Sequence, residues 1–298
     1  MKKLLRKLKE NITVNKKTLF YALISIIFLV IGCKLIPKEI SITKYPVIYF
    51  MILAVLAGGT LAFKINEKSR VHKILSIFLT ILVPLFCFYN TEYIVGNEFS
   101  NLTLAAVFMN YGVYLFVFLI LKLLFNRTRW AITSGIIIFT LYAVIDAFVG
   151  IFRGVMIRTS DIFAMRTAVN VAGGYEFVLT ERMVIGILSA VVVFFLASHC
   201  IYREQSTKKR LIKSGITLCC FAVFIGIGFD KNNLDKWNLV PIAWDTDESF
   251  ARHGAVLDFV CGIPFLLVDA PEGYSVEEVK AILDKYEEDT AEAATLEE

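Results

Sequence analysis

The sequence predicts an all-α polytopic membrane protein, and three observations predict it. Apolar residues make up 57% of the 298-residue chain and charged residues only 19%, whereas a soluble chain holds about half apolar and a quarter charged residues. The mean hydropathy is +0.67. The apolar excess is gathered into long runs, and about 20 helical residues cross a hydrocarbon core of about 30 Å.

Seven candidate spans follow in order, at about 18–36, 46–64, 73–90, 104–125, 130–152, 182–202 and 211–229. Backbone in lipid must satisfy its own hydrogen bonds, so each is expected to be a helix. The N-terminal arm, 1–17, carries seven Lys and Arg and reads as an uncleaved cytoplasmic segment. Connection 34–45 has three such residues and 64–73 has four, while 91–103 has none and carries Glu92 and Glu98. Lys122, Arg127 and Arg129 stand at 122–129, and five more cations at 203–213. The bias places the N-terminus inside and the C-terminus outside. The net charge of +4 is thus a matter of membrane orientation, and no nucleic-acid partner is implied.

Five of the six cysteines (Cys33, Cys87, Cys200, Cys219 and Cys220) lie in or at the ends of apolar runs, where cysteine behaves as a small hydrophobe. Only Cys261 falls outside a span, and no C-x-x-C pair signals zinc or redox chemistry.

After the last span, residues 230–298 become acidic and read as an extracellular juxtamembrane and linker segment. The apolar run SFARHGAVLDFVCGIPFLLV is interrupted by His253, Asp258 and Pro264, and is expected to lie as a helix in the outer interface. Ser275 and Glu278 then form an S-x-x-E capping box. Val276, Val279, Leu283 and Tyr286 follow on one helical face.

The chemistry concentrates at 146–177. Asp146 lies inside the fifth span, where a carboxylate needs a partner. Arg153 is seven residues, or two turns, further along the same helix face. Thr159 or Ser160 can cap a short helix from Asp161 to about Ala172, ended by Gly173 and Gly174. The whole outer interfacial segment is about 158–174, with Arg166 and Asn170 one turn apart, and Tyr175 and Phe177 at headgroup depth. Its arginines can pair with Asp146, Asp161 and Glu176, or grip a lipid phosphate through two parallel hydrogen bonds.

The pattern FRG, then SD, then TA-x-NVA-x-x-Y stands on Phe152, Arg153, Gly154, Ser160, Asp161, Thr167, Ala168, Asn170, Val171, Ala172 and Tyr175. Downstream come WDTDESFARHGAVLDFVCGIP and PEGYSVEEVKAIL. Together these segments resemble the membrane region of lipoteichoic acid synthase-like phosphoglycerol transferases, over roughly 152–286. The resemblance implies a sulfatase-type extracellular catalytic domain after the linker helix, with a threonine nucleophile and a manganese or magnesium ion. No such domain is present in these residues, so no catalytic residue and no cofactor is assigned to this chain, which alone is expected to be inactive.

The expected role is to anchor that domain and present an anionic, phosphatidylglycerol-like lipid to it. Arg153, Arg158, Arg166 and Asn170 are the expected headgroup contacts, Asp161 orients an arginine and Tyr175 anchors at the interface. Two alternatives stay open: a lipid or solute transporter gated by the same charged segment, and a stand-alone adaptor or sensor with an acidic docking tail.

Overall fold

A computed structural model describes residues 12–14, 19–20, 22–23, 25–27, 30, 34, 46–65, 70–164, 177–199, 206–266, 275, 278–280, 282–284 and 286. The chain forms two compact units, Met1–Pro264 and Phe265–Glu298.

In the first unit, strand β1 (Ile12–Val14) pairs antiparallel with β2 (Phe63–Ile65), Ile12 facing Ile65 and Val14 facing Phe63. This small ribbon is a departure from a purely helical expectation. The described residues between 19 and 34, all from the first expected span, are helical. Helix α1 (Pro46–Ala62) precedes β2, and α2 (Arg70–Val95), α3 (Leu104–Phe125), α4 (Thr128–Arg153), α5 (Glu181–Ser198) and α6 (Thr207–Gly228) follow. Among the described residues, five helices are long and apolar enough to cross a membrane: Lys73–Val95, Leu104–Phe125, Thr128–Arg153, Glu181–Ser198 and Thr207–Gly228. The architecture is that of an all-α polytopic membrane protein.

Helix α2 is central, packing on α3, α4 and α5, while α1 lies against α5 and α6 sits at the edge on α3. Phe88, Tyr114, Phe118 and Phe139 fill the core between α2, α3 and α4, with Tyr114 stacked on Phe139 at 4.1 Å. Small residues let the helices close up, as membrane bundles require. A methyl group on Gly135 would stand 2.4 Å from Phe118, and one on Gly186 would stand 2.2 Å from Ile94. Pro84 interrupts the hydrogen-bond ladder of α2. The Tyr111 hydroxyl of α3 donates to the Ile81 carbonyl, in the same stretch of α2, at 3.0 Å.

Caps explain the helix ends. Thr103 opens α3 by accepting from the Ala106 amide, and Asn126 closes it in the left-handed conformation at φ 52°. Gly154 ends α4 at φ 80°, and Thr180 opens α5.

Beyond α6 come three short helices, α7 (Lys231–Lys236), α8 (Thr246–His253) and α9 (Ala255–Cys261), the last two standing where a single interfacial helix was expected. Gly254, at φ 85°, breaks α8 from α9. Leu234, Leu239, Leu257 and Cys261 are buried with Ala106 and Met109 of α3. This segment therefore belongs to the first unit, which ends at Pro264.

In the second unit the Ser275 hydroxyl accepts from the Glu278 amide at 3.1 Å, as the capping box requires. Val279, Leu283 and Tyr286 are exposed, and Val276 lies outside the described residues.

Candidate functional site

Antiparallel succession brings the connection after α2, the turn after α4 and helices α8 and α9 to one end of the bundle. Their meeting is built on two buried carboxylates. Helix α2 runs to Val95 and not to about residue 90, so Glu92 lies within it and is fully buried, where an outer loop position was expected. Glu92 Oε1 accepts from the Ala255 amide at 3.0 Å, and Oε2 accepts from Asn97 Nδ2 at 2.8 Å. Asp146 of α4 is also fully buried. Its Oδ1 accepts from the Ile157 amide at 2.7 Å, tying the turn after α4 back onto its own helix. Each carboxylate thus supplies an acceptor to the backbone N–H of a returning segment.

Further bonds secure the lid formed by α8 and α9. Asn110 of α3 donates to the His253 carbonyl at 2.6 Å, and the Tyr142 hydroxyl of α4 donates to the Ala255 carbonyl at 3.0 Å. Asn97, Asn110, Tyr142 and Glu92 escaped the sequence reading of the site. The available signal was a polar side chain at the end of an apolar run (Glu92, Asn97) or within one (Asn110, Tyr142).

Ser249, His253 and Asp258 form a cluster inside this lid. Ser249 Oγ donates to Asp258 Oδ1 at 2.6 Å, while His253 Nδ1 lies 2.9 Å from the same oxygen. His253 Nε2 lies 3.2 Å from the Asn238 carbonyl, and the Ile242 amide donates to Ser249 Oγ at 2.9 Å. The serine spends its proton on the aspartate, and both it and the histidine are buried. Ser249 Oγ also lies 3.4 Å from His253 Nδ1, but a nucleophilic relay needs the serine proton directed at the imidazole and an open approach. This trio instead holds the lid together. Among the described residues no group of three or more His, Cys, Asp or Glu is placed to hold a metal.

The cationic turn follows Gly154. Arg153 forms a two-pronged pair with Asp161, Nη1 to Oδ1 at 2.9 Å and Nη2 to Oδ2 at 2.7 Å. Arg153 Nη2 also donates to the Met156 carbonyl at 2.6 Å, and Asp161 Oδ2 accepts from the Arg158 amide at 2.8 Å. The seven-residue spacing from Asp146 therefore does not end in an ion pair, because the chain reverses at Gly154 and brings Asp161 within reach. Burial raises the Asp161 pKa, but the Arg153 guanidinium and the Arg158 amide outweigh it and hold the carboxyl below its ordinary 3.8. Residues 161–164 are helical, and the rest of the expected interfacial helix lies outside the described residues. Thr159 does not cap it, since its hydroxyl bonds instead to the Phe259 carbonyl of α9.

Arg153, Arg158 and Asp161 thus share one turn, and Asp146 stands beneath it. Arg166, Asn170 and Tyr175 lie outside the described residues. Phe177 is exposed and packs on Phe148 with ring centroids 4.9 Å apart.

Comparison with known proteins places the chain only in part. No family model matches it, and no solved structure matches it. Over 107 residues it is 27% identical to a protein of Rhizobium meliloti (strain 1021) named as a proposed cyclic beta-1,2-glucan modification protein. The similarity covers 34% of this chain and 17% of that relative, so it is a likeness over a minor part of a longer protein.

Proposed function

We propose that this chain is the membrane region of a phosphoglycerol transferase resembling the lipoteichoic acid synthases, seated in a bacterial plasma membrane with its N-terminus inside. The lid end of the bundle faces outward and presents an anionic glycerophospholipid to a sulfatase-type catalytic domain. In that reaction a threonine attacks the phosphorus of a phosphatidylglycerol-like donor, diacylglycerol leaves, and glycerol phosphate passes from the threonine to an acceptor hydroxyl. The membrane region contributes binding and orientation. Arg158 and Arg166, with Asn170, contact the headgroup, while Arg153 is held by Asp161 and shapes the turn.

One observation carries this assignment. The two segments on which the resemblance rests are about a hundred residues apart in sequence, and they touch at the Thr159 hydroxyl and the Phe259 carbonyl. Their motif residues are also those that build the local structure: Arg153, Gly154 and Asp161 on one side, Ser249, His253, Gly254 and Asp258 on the other. A glucan-related name for the bacterial relative agrees with an envelope carbohydrate as the acceptor.

The test uses membranes from cells with and without the gene, supplied with phosphatidylglycerol labelled in its terminal glycerol. Transfer of label to an envelope polymer should require the gene, and Arg158→Gln with Arg166→Gln should lower it about tenfold, the loss of one or two charge-assisted hydrogen bonds. Equal transfer with and without the gene would defeat the proposal.

A further inference from the structure

The end of the bundle opposite the lid holds a cavity of about 400 Å³. Lys73 of α2, Lys122 of α3, Thr128 of α4, and Arg210 and Lys213 of α6 line it, and no acidic residue is among its lining. Ile77, Leu119 and Ile216 form its apolar part. We propose that this cavity binds the phosphate group of an anionic membrane lipid, with an acyl chain lying along Ile77, Leu119 and Ile216.

The order of residues along each helix supports a lipid. On α2 Lys73 precedes Ile77 by one turn, and on α6 Arg210 and Lys213 precede Ile216 and Thr217 on the same face. Charge therefore gathers at the mouth, and apolar surface continues toward the middle of the bundle. Ile77 and Ile216 are exposed sideways, where a lipid tail would lie. Two of the lining cations are fixed in position by the protein itself. Lys122 Nζ donates to Thr80 Oγ1 at 3.1 Å, and Arg210 Nη2 donates to the Leu123 carbonyl that ends α3 at 3.2 Å.

Thr128 gives an independent indication. It is only 1% exposed, yet its Oγ1 has no hydrogen-bond partner among the described residues. A buried hydroxyl left unpaired costs free energy, and the described residues supply no partner that would offset it. Thr128 is also the first residue of α4, whose preceding Arg127 contributes no side-chain cap. The amides at the start of this 26-residue helix add their positive dipole end to the same place, an arrangement that suits phosphate. Membrane orientation alone accounts for cations at this end. It does not account for their convergence on a cavity with an apolar floor and an unpaired hydroxyl. Helix α6 packs on α3 and on the short α7, with 6% of its span buried, so a lipid bridging Lys213 to Lys73 would also fasten α6 to the bundle.

The test follows Trp130, two residues from Thr128, as the single tryptophan after Trp237→Phe and Trp244→Phe. The full chain, delipidated in detergent, is titrated with phosphatidylglycerol or phosphatidylcholine brominated on the acyl chain. Phosphatidylglycerol should quench Trp130 at lower concentration. Lys73→Gln with Lys213→Gln should raise that concentration about tenfold, while Lys208→Gln with Lys209→Gln, equal in charge and outside the cavity, should leave it unchanged. Thr128→Val keeps shape and charge, and should weaken phosphatidylglycerol about threefold without lowering thermal stability. Equal quenching by the two lipids, or equal losses in the two lysine pairs, would overturn the proposal. Displacement of the brominated lipid by soluble inorganic phosphate or glycerol phosphate would overturn the lipid assignment in favour of a free phosphate ligand. The site lies at the other end from the transfer chemistry, so it stands or falls separately.

Discussion

Glu92 of α2 accepts a hydrogen bond from the amide of Ala255 at 3.0 Å, across 163 residues of sequence. This contact fixes the start of α9 on the transmembrane bundle, and its removal reaches the whole lid. Cys261, the last residue of α9, reports on it. Burial, with a contribution from Asp258, pushes its thiol up to about 12. In a background where Cys261 is the only cysteine, it should resist maleimide at about pH 8, where an ordinary free thiol reacts. Glu92→Ala leaves the Ala255 amide unpaired and Asn97 with only its longer bonds to the Phe250 and Ala251 carbonyls, at a cost of about 1–3 kcal/mol. Labelling of Cys261 should then speed up several-fold, and an unchanged rate would show that Glu92 does not hold the lid.

Gly254 is required at the break between α8 and α9 for two reasons that act together. Its φ of 85° disfavours side chains, and an added methyl would stand 2.8 Å from Glu92 Oε1 and 3.1 Å from Asn110 Nδ2. Gly254→Ala should destabilise the protein by about 1–3 kcal/mol from the backbone conformation alone, lowering its melting temperature in detergent. Gly215→Ala in α6 meets nothing within 4 Å and should be neutral or stabilising by about 0.5–1 kcal/mol. Equal melting temperatures for the two variants would refute this account.

The Arg153–Asp161 clamp carries a pH signature. Because the folded-state pKa of Asp161 is lowered from 3.8, the clamp stabilises the turn fully above that value. Its contribution is lost as pH falls below 3.8 and the carboxyl takes a proton. With side chains 35% and 28% exposed, solvent screening limits the effect to about 1 kcal/mol. Asp161→Asn should therefore quicken proteolysis at the 153–161 turn near neutral pH, and the difference from wild type should shrink as pH falls below 3.8. A difference independent of pH would mean that packing, not charge, holds the turn.

Much of the fold was legible because hydropathy is a local property. Apolar runs at 104–125 and 130–152 became α3 and α4 almost unchanged, and the Ser275 cap was readable from four residues. Boundaries shifted where polar residues turned out to be buried. Glu92 reads as a loop acid because charge ordinarily ends a span, and here the span continues since Ala255 and Asn97 satisfy that charge. The single interfacial helix expected at 249–268 failed for a related reason. A hydrophobic run does not disclose that Gly254 takes a positive φ, or that Leu257 and Cys261 face α3.

By itself the sequence determined the membrane architecture, the alternation of helix ends and the residue types available at each end. It also supplied Arg153 and Asp161, whose chemistry was evident but whose pairing was one of several possibilities. Tertiary structure alone decided which acceptor each donor meets. Hydrogen bonds are directional and short, so the choice between Asp146 and Asp161 for Arg153 depends on the reversal at Gly154. The same holds for the cavity at the opposite end, where Lys73, Thr128 and Lys213 come from three separate helices and meet only when the bundle closes.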